Sequence, residues 1–349
     1  MKTLGAVQRL LQGRWLYAML ACVVLILYVR MAGGRPAASP EVAPPQELPS
    51  LWEARPGGNL QGLAAREPSL ALVLVGLSVF ISAMGLGGIG FFLWGVLTGR
   101  IRTIWQFASR RLPRWSFGEV VRITLLTLVI GGLLPFVRML LLSNPASWAE
   151  NSNLWLSTSM LFLDLFVILA ILTFAAGKGV RVREMLGFSA PRLPEAMRIG
   201  FRGYLALFPW LFLLLYLVTE TARWVHFKPP LEPIHELIFR EAHPAVLIIT
   251  VVLACLIGPL AEELFFRGVV YGAIRQRTSR IIAMLVSGAV FSLIHTNVMG
   301  FVPIMVLGWL LAYLYERTGS LLVPLAVHIL HNTFLMSLAL TFRQMMALQ

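Results

Sequence analysis

Charged residues are scarce in this sequence: they make up 13% of its 349 residues, against about a quarter in soluble domains. Hydrophobic residues account for 58%, and the mean hydropathy is +0.79. The apolar residues form long runs instead of the periodic patterns of a soluble fold. Runs of about 18 or more apolar residues cross the hydrocarbon core as helices. The composition therefore excludes a soluble protein and predicts an integral membrane protein.

Cysteine and lysine are also rare. The only two cysteines, Cys22 and Cys255, both lie in apolar runs, so the sequence has neither a disulfide framework nor a zinc knuckle. Lysines number three against 26 arginines. This bias is typical of a GC-rich genome and favours a bacterial source.

The net charge of +13 is explained by topology, because the basic residues fall in loops between apolar runs. No separate basic domain is present, which argues against a nucleic-acid partner. Residues 98–118 hold five arginines and no acid, 177–202 six basic and two acidic residues, and 267–280 four arginines and no acid. Residues 33–68 and 220–243 each hold three basic and four acidic residues. Positive loops stay in the cytoplasm, so we expect a cytoplasmic N-terminus.

The hydropathy pattern predicts an all-α, polytopic transmembrane bundle of eight or nine helices. The spans lie near 15–31, 69–97, 119–143, 154–176, 203–221, 244–264, 281–299, 300–315 and 319–341. The turn between the seventh and eighth is marked only by Asn297 and Gly300. A glycine-rich stretch, 85–90, predicts a kink or break in the second span.

The first span has two interpretations. Lys2, Arg9 and Arg14 precede a short apolar core, as in a cleavable signal peptide. Arg30 lies where a cleavage region should be neutral, which favours a retained helix. The Pro/Ala/Glu-rich stretch that follows, 33–66, is then an external linker.

Ionisable groups inside spans are costly, so each one is a candidate functional residue. The sixth span ends in Glu262-Glu263-Leu264-Phe265-Phe266-Arg267. Glu263 and Arg267 are spaced i, i+4 and predict an ion pair. Glu262 points about 100° away around the helix and lacks that partner. Alone, this pattern is equally typical of a charged helix end at the membrane surface.

The two following polar groups are histidine motifs. His295 ends the motif Phe291-Ser-Leu-Ile-His in the seventh span, and alone it is more typical of a packing residue. His328 and Asn332 share one face of the last helix by their i, i+4 spacing, whereas His331 is offset from both. Two donors directed at one point can stabilise an oxyanion. Together, the three helices predict acid–base chemistry within the membrane.

The other buried or loop candidates are weaker. Asp164, in the fourth span, is more typical of an interhelical hydrogen bond than of a catalytic group. His226, His235 and His243 lie in an external loop and are interpreted as solvated.

These motifs resemble those of the CAAX protease and bacteriocin-processing (CPBP, or Abi) family of intramembrane proteases, which is similar to the type II CAAX prenyl endopeptidases. That family carries Glu-Glu-x-x-x-Arg, Phe-x-x-x-His and His-x-x-x-Asn in this order. They match Glu262 to Arg267, Phe291 to His295, and His328 to Asn332. The resemblance implies a catalytic core at 244–341, preceded by an N-terminal helix (1–32), the external linker (33–68) and variable helices (69–243).

The resemblance also implies roles for these residues. Glu262 would activate a water molecule as general base, with His295 helping to hold it. His328 and Asn332 would stabilise the oxyanion. Glu263 and Arg267 would support the site.

A zinc alternative stays open, because Glu262, His295 and His328 would make a three-ligand catalytic set. The absence of a His-Glu-x-x-His motif favours a mechanism without a metal or other cofactor. The proposed depths conflict, since Glu262 would lie at the inner end of its helix and His295 roughly 21 Å into the next. A sixth helix that continues towards Ile274 would remove this conflict.

The resemblance implies an endopeptidase in a bacterial cell membrane that cleaves a membrane-associated peptide or protein. Prenylated proteins, bacteriocin precursors and C-terminal sorting tails are the substrate classes that it admits. A transporter with a proton or metal relay is an alternative, but the inverted repeat common in transporters is not evident. A non-catalytic membrane scaffold is the other alternative.

Overall fold

The computed structural model describes residues 13–33, 67–100, 107, 113–142, 151–187, 193–227, 237–239, 241, 243–295 and 297–347. Within these ranges the chain forms nine long helices, one short helix and no strand. They are α1 (Arg14–Gly33), α2 (Pro68–Leu97), α3 (Phe117–Leu141), α4 (Ser152–Gly177), α5 (Val182–Leu186), α6 (Leu193–Trp224), α7 (Pro244–Arg275), α8 (Arg280–Ile294), α9 (Phe301–Thr318) and α10 (Leu322–Ala347). The predicted all-α polytopic bundle is confirmed.

Six of these helices, α2, α3, α4, α6, α7 and α10, are long and apolar enough to cross a membrane. The apolar part of α1 (Trp15–Ile26) and α8 are shorter. Large apolar side chains point outwards, such as Leu72, Val79 and Leu86 on α2, which is the surface that lipid tails require. The protein is therefore a multi-pass membrane protein. Most of the expected external linker, residues 34–66, lies outside the described residues.

Helix α2 is continuous through its glycine-rich stretch, so the break expected there does not occur. The physical reason is packing: a Cβ on Gly88 would collide with the carbonyl oxygen of Leu205 and lie 2.8 Å from Pro209 Cδ. Glycine lets α2 approach the backbone of α6 closely without interrupting its own hydrogen bonds.

Three predicted boundaries are wrong. Helix α7 continues to Arg275 instead of ending at residue 264, and α6 begins ten residues before the predicted residue 203. Helix α8 ends at Ile294, because His295 already caps its C-terminus. Its start is set by Ser279, whose side chain accepts a hydrogen bond from the Ile282 amide, a typical N-cap.

Contacts at the two ends of the bundle agree with alternating helix directions. At one end, the Gln276 side chain after α7 donates to the Trp115 carbonyl before α3, at 2.5 Å. At the other end, Asn153 of α4 donates to the Glu241 carboxylate at 2.6 Å, and Arg343 of α10 donates to the Glu241 carbonyl at 2.6 Å. The C-terminus of α7 and the N-terminus of α3 thus lie at one end, and the N-terminus of α4 and the C-terminus of α10 lie at the other.

Helix α9 lies at the centre of the C-terminal helices. It packs against α6, α8 and α10, and Leu311, Ala312 and Leu314 are completely buried. Gly319, with φ of 66°, ends it in the left-handed conformation that favours glycine. Helix α9 thereby supports the helices that carry the predicted site residues.

Candidate active site

The predicted glutamates lie where the winding of α7 changes. Residues Leu253–Ile257 and Glu263–Tyr271 are wound as π-helix, and Gly258–Glu262 between them as α-helix. π-Helical turns are rare and frequent at functional sites. The change of winding places Glu262 and Glu263 at the junction of two helical geometries.

The ion pair expected between Glu263 and Arg267 is present and buried. Their side chains are 1% and 0% exposed, and Arg267 Nη1 lies 2.6 Å from Glu263 Oε1. Arg267 Nη2 donates to the carbonyl of Gly308 on α9 at 3.2 Å, and the guanidinium lies 4.3 Å from the ring centre of Phe291. The pair therefore joins α7 to α8 and α9.

His328 contacts both glutamates. Its Nδ1 lies 2.9 Å from Glu263 Oε1, and its Nε2 lies 3.6 Å from Glu262 Oε2. Arg267 Nη1 and His328 Nδ1 approach the same oxygen, Glu263 Oε1, so this oxygen is the acceptor and His328 Nδ1 is the donor to it. Nε2 is then the ring nitrogen that faces Glu262.

His295 approaches Glu262 from α8. Its Nε2 lies 3.9 Å from Glu262 Oε1, and its Nδ1 lies 2.7 Å from the Phe291 carbonyl oxygen. A carbonyl only accepts, so Nδ1 carries the proton and Nε2 faces the carboxylate. Both histidines thus direct an Nε2 at Glu262, at separations that a water bonded to both atoms at about 2.8 Å can bridge.

The two glutamates differ in accessibility. The Glu262 and His295 side chains are 28% and 29% exposed, whereas those of Glu263 and His328 are 1% and 3% exposed. Glu262 Oε2 is buried without a hydrogen-bond partner among the described residues, so the accessible part of the side chain excludes this atom. Glu262 and His295 form the open side of the site, and Glu263 and Arg267 lie behind it.

Asn332, on α10, contacts α7 nearer its N-terminus than Glu262. Its Nδ2 donates to the carbonyl oxygen of Ala254 at 2.8 Å, within the first π-helical segment. His328 and Asn332 therefore both contact α7, but at residues about two turns apart. The role of Asn332 in oxyanion stabilisation stays a prediction.

The depths of the two catalytic candidates now agree. Glu262 precedes the end of α7 at Arg275 by 13 residues, and His295 follows the start of α8 at Arg280 by 15 residues. At 1.5 Å per residue these are about 20 Å and 22 Å. The continuation of α7 past Arg267 removes the conflict expected from the sequence.

The three candidate zinc ligands do not have the arrangement of a metal site. No group of three or more His, Cys, Asp or Glu side chains within the described ranges is placed to hold a metal ion. The 3.6 and 3.9 Å separations between Glu262 and the histidines exceed the roughly 3.4 Å between two ligand atoms of tetrahedral zinc. The metal-free mechanism stays a prediction, and no chemical step below uses an ion.

Sequence reasoning missed a contact between α6 and α10. The Tyr204 hydroxyl lies 2.9 Å from His331 Nδ1, and the Tyr204 side chain is completely buried. A tyrosine in mid-span needs a partner for its hydroxyl, which was the available signal. The partner could not be identified, because it is 127 residues away.

Comparison with known proteins gives a family match for the C-terminal helices. Residues 244–334 match the family described as type II CAAX prenyl endopeptidase Rce1-like. The resemblance inferred from the three motifs is confirmed. No solved structure matches the chain.

Three bacterial proteins are similar to part of the chain. It is 30% identical over 90 residues to "Putative membrane peptidase YdiL" of Bacillus subtilis. It is 31% identical over 80 residues to "UPF0177 protein YxdF" of Lactococcus lactis, and 36% over 86 residues to "Membrane-embedded CAAX protease MroQ" of Staphylococcus aureus. The matches cover 26%, 23% and 23% of this chain, and 37%, 44% and 34% of these relatives. The chain thus spans less than half the length of the curated relatives it matches.

Proposed function

We propose that this chain, whose residues 244–334 form the Rce1-like domain, is an endopeptidase that hydrolyses a peptide bond within or near the membrane. One observation carries the proposal: a partly exposed Glu262 faces two histidine Nε2 atoms at 3.6 and 3.9 Å. The names of two relatives, a membrane peptidase and a membrane-embedded CAAX protease, support it.

In the proposed reaction, Glu262 is the general base. A water molecule held between Glu262 and His295 loses a proton to the carboxylate while its oxygen bonds to the scissile carbonyl carbon. The tetrahedral oxyanion accepts hydrogen bonds from protonated His328 and from the second N–H of the Asn332 amide. Glu262 then delivers its proton to the leaving nitrogen as the C–N bond breaks, which yields an acid and an amine.

Glu263 and Arg267 serve this reaction by holding His328. The 2.9 Å contact between His328 Nδ1 and Glu263 Oε1 fixes the tautomer and orientation of the ring, as carboxylates do for catalytic histidines. The ion pair with Arg267 holds Glu263 in place in an environment from which solvent is excluded. Glu263 and Arg267 therefore position His328 and do not contact the substrate.

The proposal includes a metal-free mechanism and a bacterial cell-membrane location. Bacterial relatives and the six apolar helices favour this location. The substrate is a membrane-associated peptide or protein, and its identity follows from the experiment below.

The test replaces the proposed base without changing its shape. We expect Glu262→Gln to lower cleavage of the natural substrate by about 100-fold or more, because an amide does not accept the proton of water. The measurement compares protein termini in the membrane and secreted fractions of cells with wild-type or Glu262→Gln protein. Termini that are found only in cells with the wild-type protein identify the substrate and the bond that is cleaved.

The matched control is Glu220→Gln, because Glu220 is an exposed residue paired with Arg223 at the far end of α6. It should leave the termini unchanged. Wild-type cleavage by Glu262→Gln would refute the proposed mechanism. Stoichiometric zinc in the purified protein, with loss of cleavage on its removal, would overturn the metal-free part alone.

A further inference from the structure

Asp164 is the only aspartate in the 349 residues, and it lies near the middle of α4. Helix α4 packs against α7 but lies outside the Rce1-like segment. An ideal Cβ on Gly258 would be 3.6 Å from Asp164 Oδ2. The carboxylate is therefore directed at α7.

Gly258 and Glu262 lie one helical turn apart on the same face of α7. Residues with this i, i+4 spacing have Cβ atoms about 5–6 Å apart. Asp164 is also close enough to Glu262 for the two carboxylates to interact electrostatically. Asp164 thus faces the side of α7 that carries the proposed base.

The interhelical hydrogen bond expected for Asp164 is absent, since the carboxylate makes no hydrogen bond to any other described residue. A carboxyl group in mid-membrane is costly, and this one gains no protein partner in return. Asp164 is partly buried, and Glu262 Oε2 is a fully buried oxygen without a hydrogen-bond partner in the described part of the chain. The Asp164 carboxylate and Glu262 Oε2 are therefore neighbouring acceptors without a hydrogen-bond donor from the described residues.

Peptide hydrolysis requires water at this depth, and a buried water needs two to four polar partners, or about three on average. Water supplies two donors, one for each carboxylate. One or two water molecules, with hydrogen bonds of about 2.8 Å, span the distance between residues one turn apart. The two acceptors therefore form a water-binding locus.

We propose that Asp164 is a positioning residue: it holds a second water molecule against Glu262 Oε2 and so orients the carboxylate that receives the proton of the hydrolytic water. The inference rests on the proposed peptidase function. It assigns a part in the reaction to α4, which carries none of the three sequence motifs. Asp164 acts through water and Glu262 and does not itself contact the scissile bond.

The test uses the purified full-length chain in lipid vesicles and a synthetic peptide that spans the cleaved bond found by the comparison of termini. Asp164→Leu removes the acceptor at similar size. We expect it to lower kcat roughly 10-fold to 100-fold, in the range for residues that orient a reacting group, while KM changes by less than about threefold. Asp164→Asn keeps an acceptor oxygen and should stay within about threefold of wild-type kcat.

The control on the same helix is Thr173→Val. Thr173 donates only to the carbonyl of Leu169 within α4, and it lies nine residues from Asp164, on the opposite side of the helix. Its kcat should equal that of the wild type.

Three outcomes would overturn the inference: wild-type kcat in Asp164→Leu, an equal loss in the Leu and Asn variants, or a rise in KM at unchanged kcat. The second would show that charge is required instead of an acceptor, and the third that Asp164 binds substrate. These outcomes are separate from the Glu262→Gln result. Loss of cleavage in Glu262→Gln with full activity in Asp164→Leu would remove this inference and leave the peptidase function intact.

Discussion

Glu262 and Glu263 are neighbours in the chain, but their side chains lie in different surroundings. Glu263 is buried against Arg267 and His328, whereas Glu262 is 28% exposed and pairs with no arginine of the described residues. Identical carboxylates therefore take different tasks because of their environment. One is fixed as part of the interior, and the other is accessible to water.

At the residue scale, the Arg267–Glu263 pair sets a stability prediction. Arg267→Met leaves Glu263 buried without its cation, and removal of one partner of a buried pair costs about 3–5 kcal/mol. We expect a loss of this size in the free energy of unfolding, measured by detergent titration with circular dichroism. Cleavage should also fall, because Glu263 then binds His328 less firmly.

The double variant Glu263→Leu/Arg267→Met is the control for this prediction. Replacing both partners by apolar residues removes the stranded charge, so stability should largely return. Cleavage should not return, since the double variant removes the Glu263 carboxylate that holds His328. A double variant as unstable as Arg267→Met would contradict this account of the pair.

At the element scale, α7 shows what the sequence pattern predicts and what it misses. The i, i+4 spacing correctly predicted the ion pair between Glu263 and Arg267. The same charges suggested a helix end at the membrane surface, although the helix continues to Arg275. Charge in a sequence does not reveal whether a partner from another helix buries it. Here the Gly308 carbonyl of α9 accepts from Arg267, 41 residues away.

The contact between α8 and α9 depends on glycine. An ideal Cβ on Gly288 would collide with the Trp309 ring and lie 2.9 Å from the Trp309 backbone nitrogen. Trp309 in turn donates to the Leu285 carbonyl at 3.1 Å, so its ring cannot easily move away. Because α8 carries His295 at its C-terminus, this contact determines the distance of His295 from Glu262.

Gly288→Ala is therefore expected to destabilise the protein and to reduce cleavage. Overpacking of a close contact costs about 1–3 kcal/mol, and separation of α8 from α9 moves His295. Thermal unfolding in detergent and the peptide cleavage assay measure the two effects. The control is Gly76→Ala on α2, where a Cβ meets no atom within 4 Å. It should keep activity and gain about 0.5–1 kcal/mol in helix propensity. Unchanged stability and cleavage in Gly288→Ala would refute the packing argument.

At the scale of the whole molecule, the number and order of helices followed from hydropathy, because long apolar runs have few alternatives in a bilayer. Which helices meet did not follow, since helix faces in lipid are apolar on all sides. The Glu316 carboxylate illustrates this: it accepts from Tyr271 at 2.8 Å and pairs with Arg280 at 2.7 Å. These contacts join α7, α8 and α9 at one end of the bundle, and no local pattern identifies them.

The orientation of the bundle is still a prediction and has a direct test. In a protein lacking Cys22 and Cys255, we expect a cysteine placed at Arg277 to react with a membrane-impermeant maleimide only in inside-out vesicles. Arg277 belongs to a loop rich in arginine, which stays in the cytoplasm. A cysteine at Val225, exposed after α6, should react in intact cells.

The cysteine-free parent should not react in either preparation. Reversed labelling of the two positions would contradict the inferred orientation. Labelling of both from one side would contradict the alternating path of the helices.

The depth of Glu262 has a consequence for any polypeptide that is cleaved. The carboxylate lies about 20 Å along α7 from the helix end at Arg275. An extended peptide advances about 3.3 Å per residue, so it needs about six residues to cover this distance from that end. A bond adjacent to a folded domain would be out of reach. Selection among polypeptides would then begin with the length of unfolded chain that each offers, before any side chain is recognised.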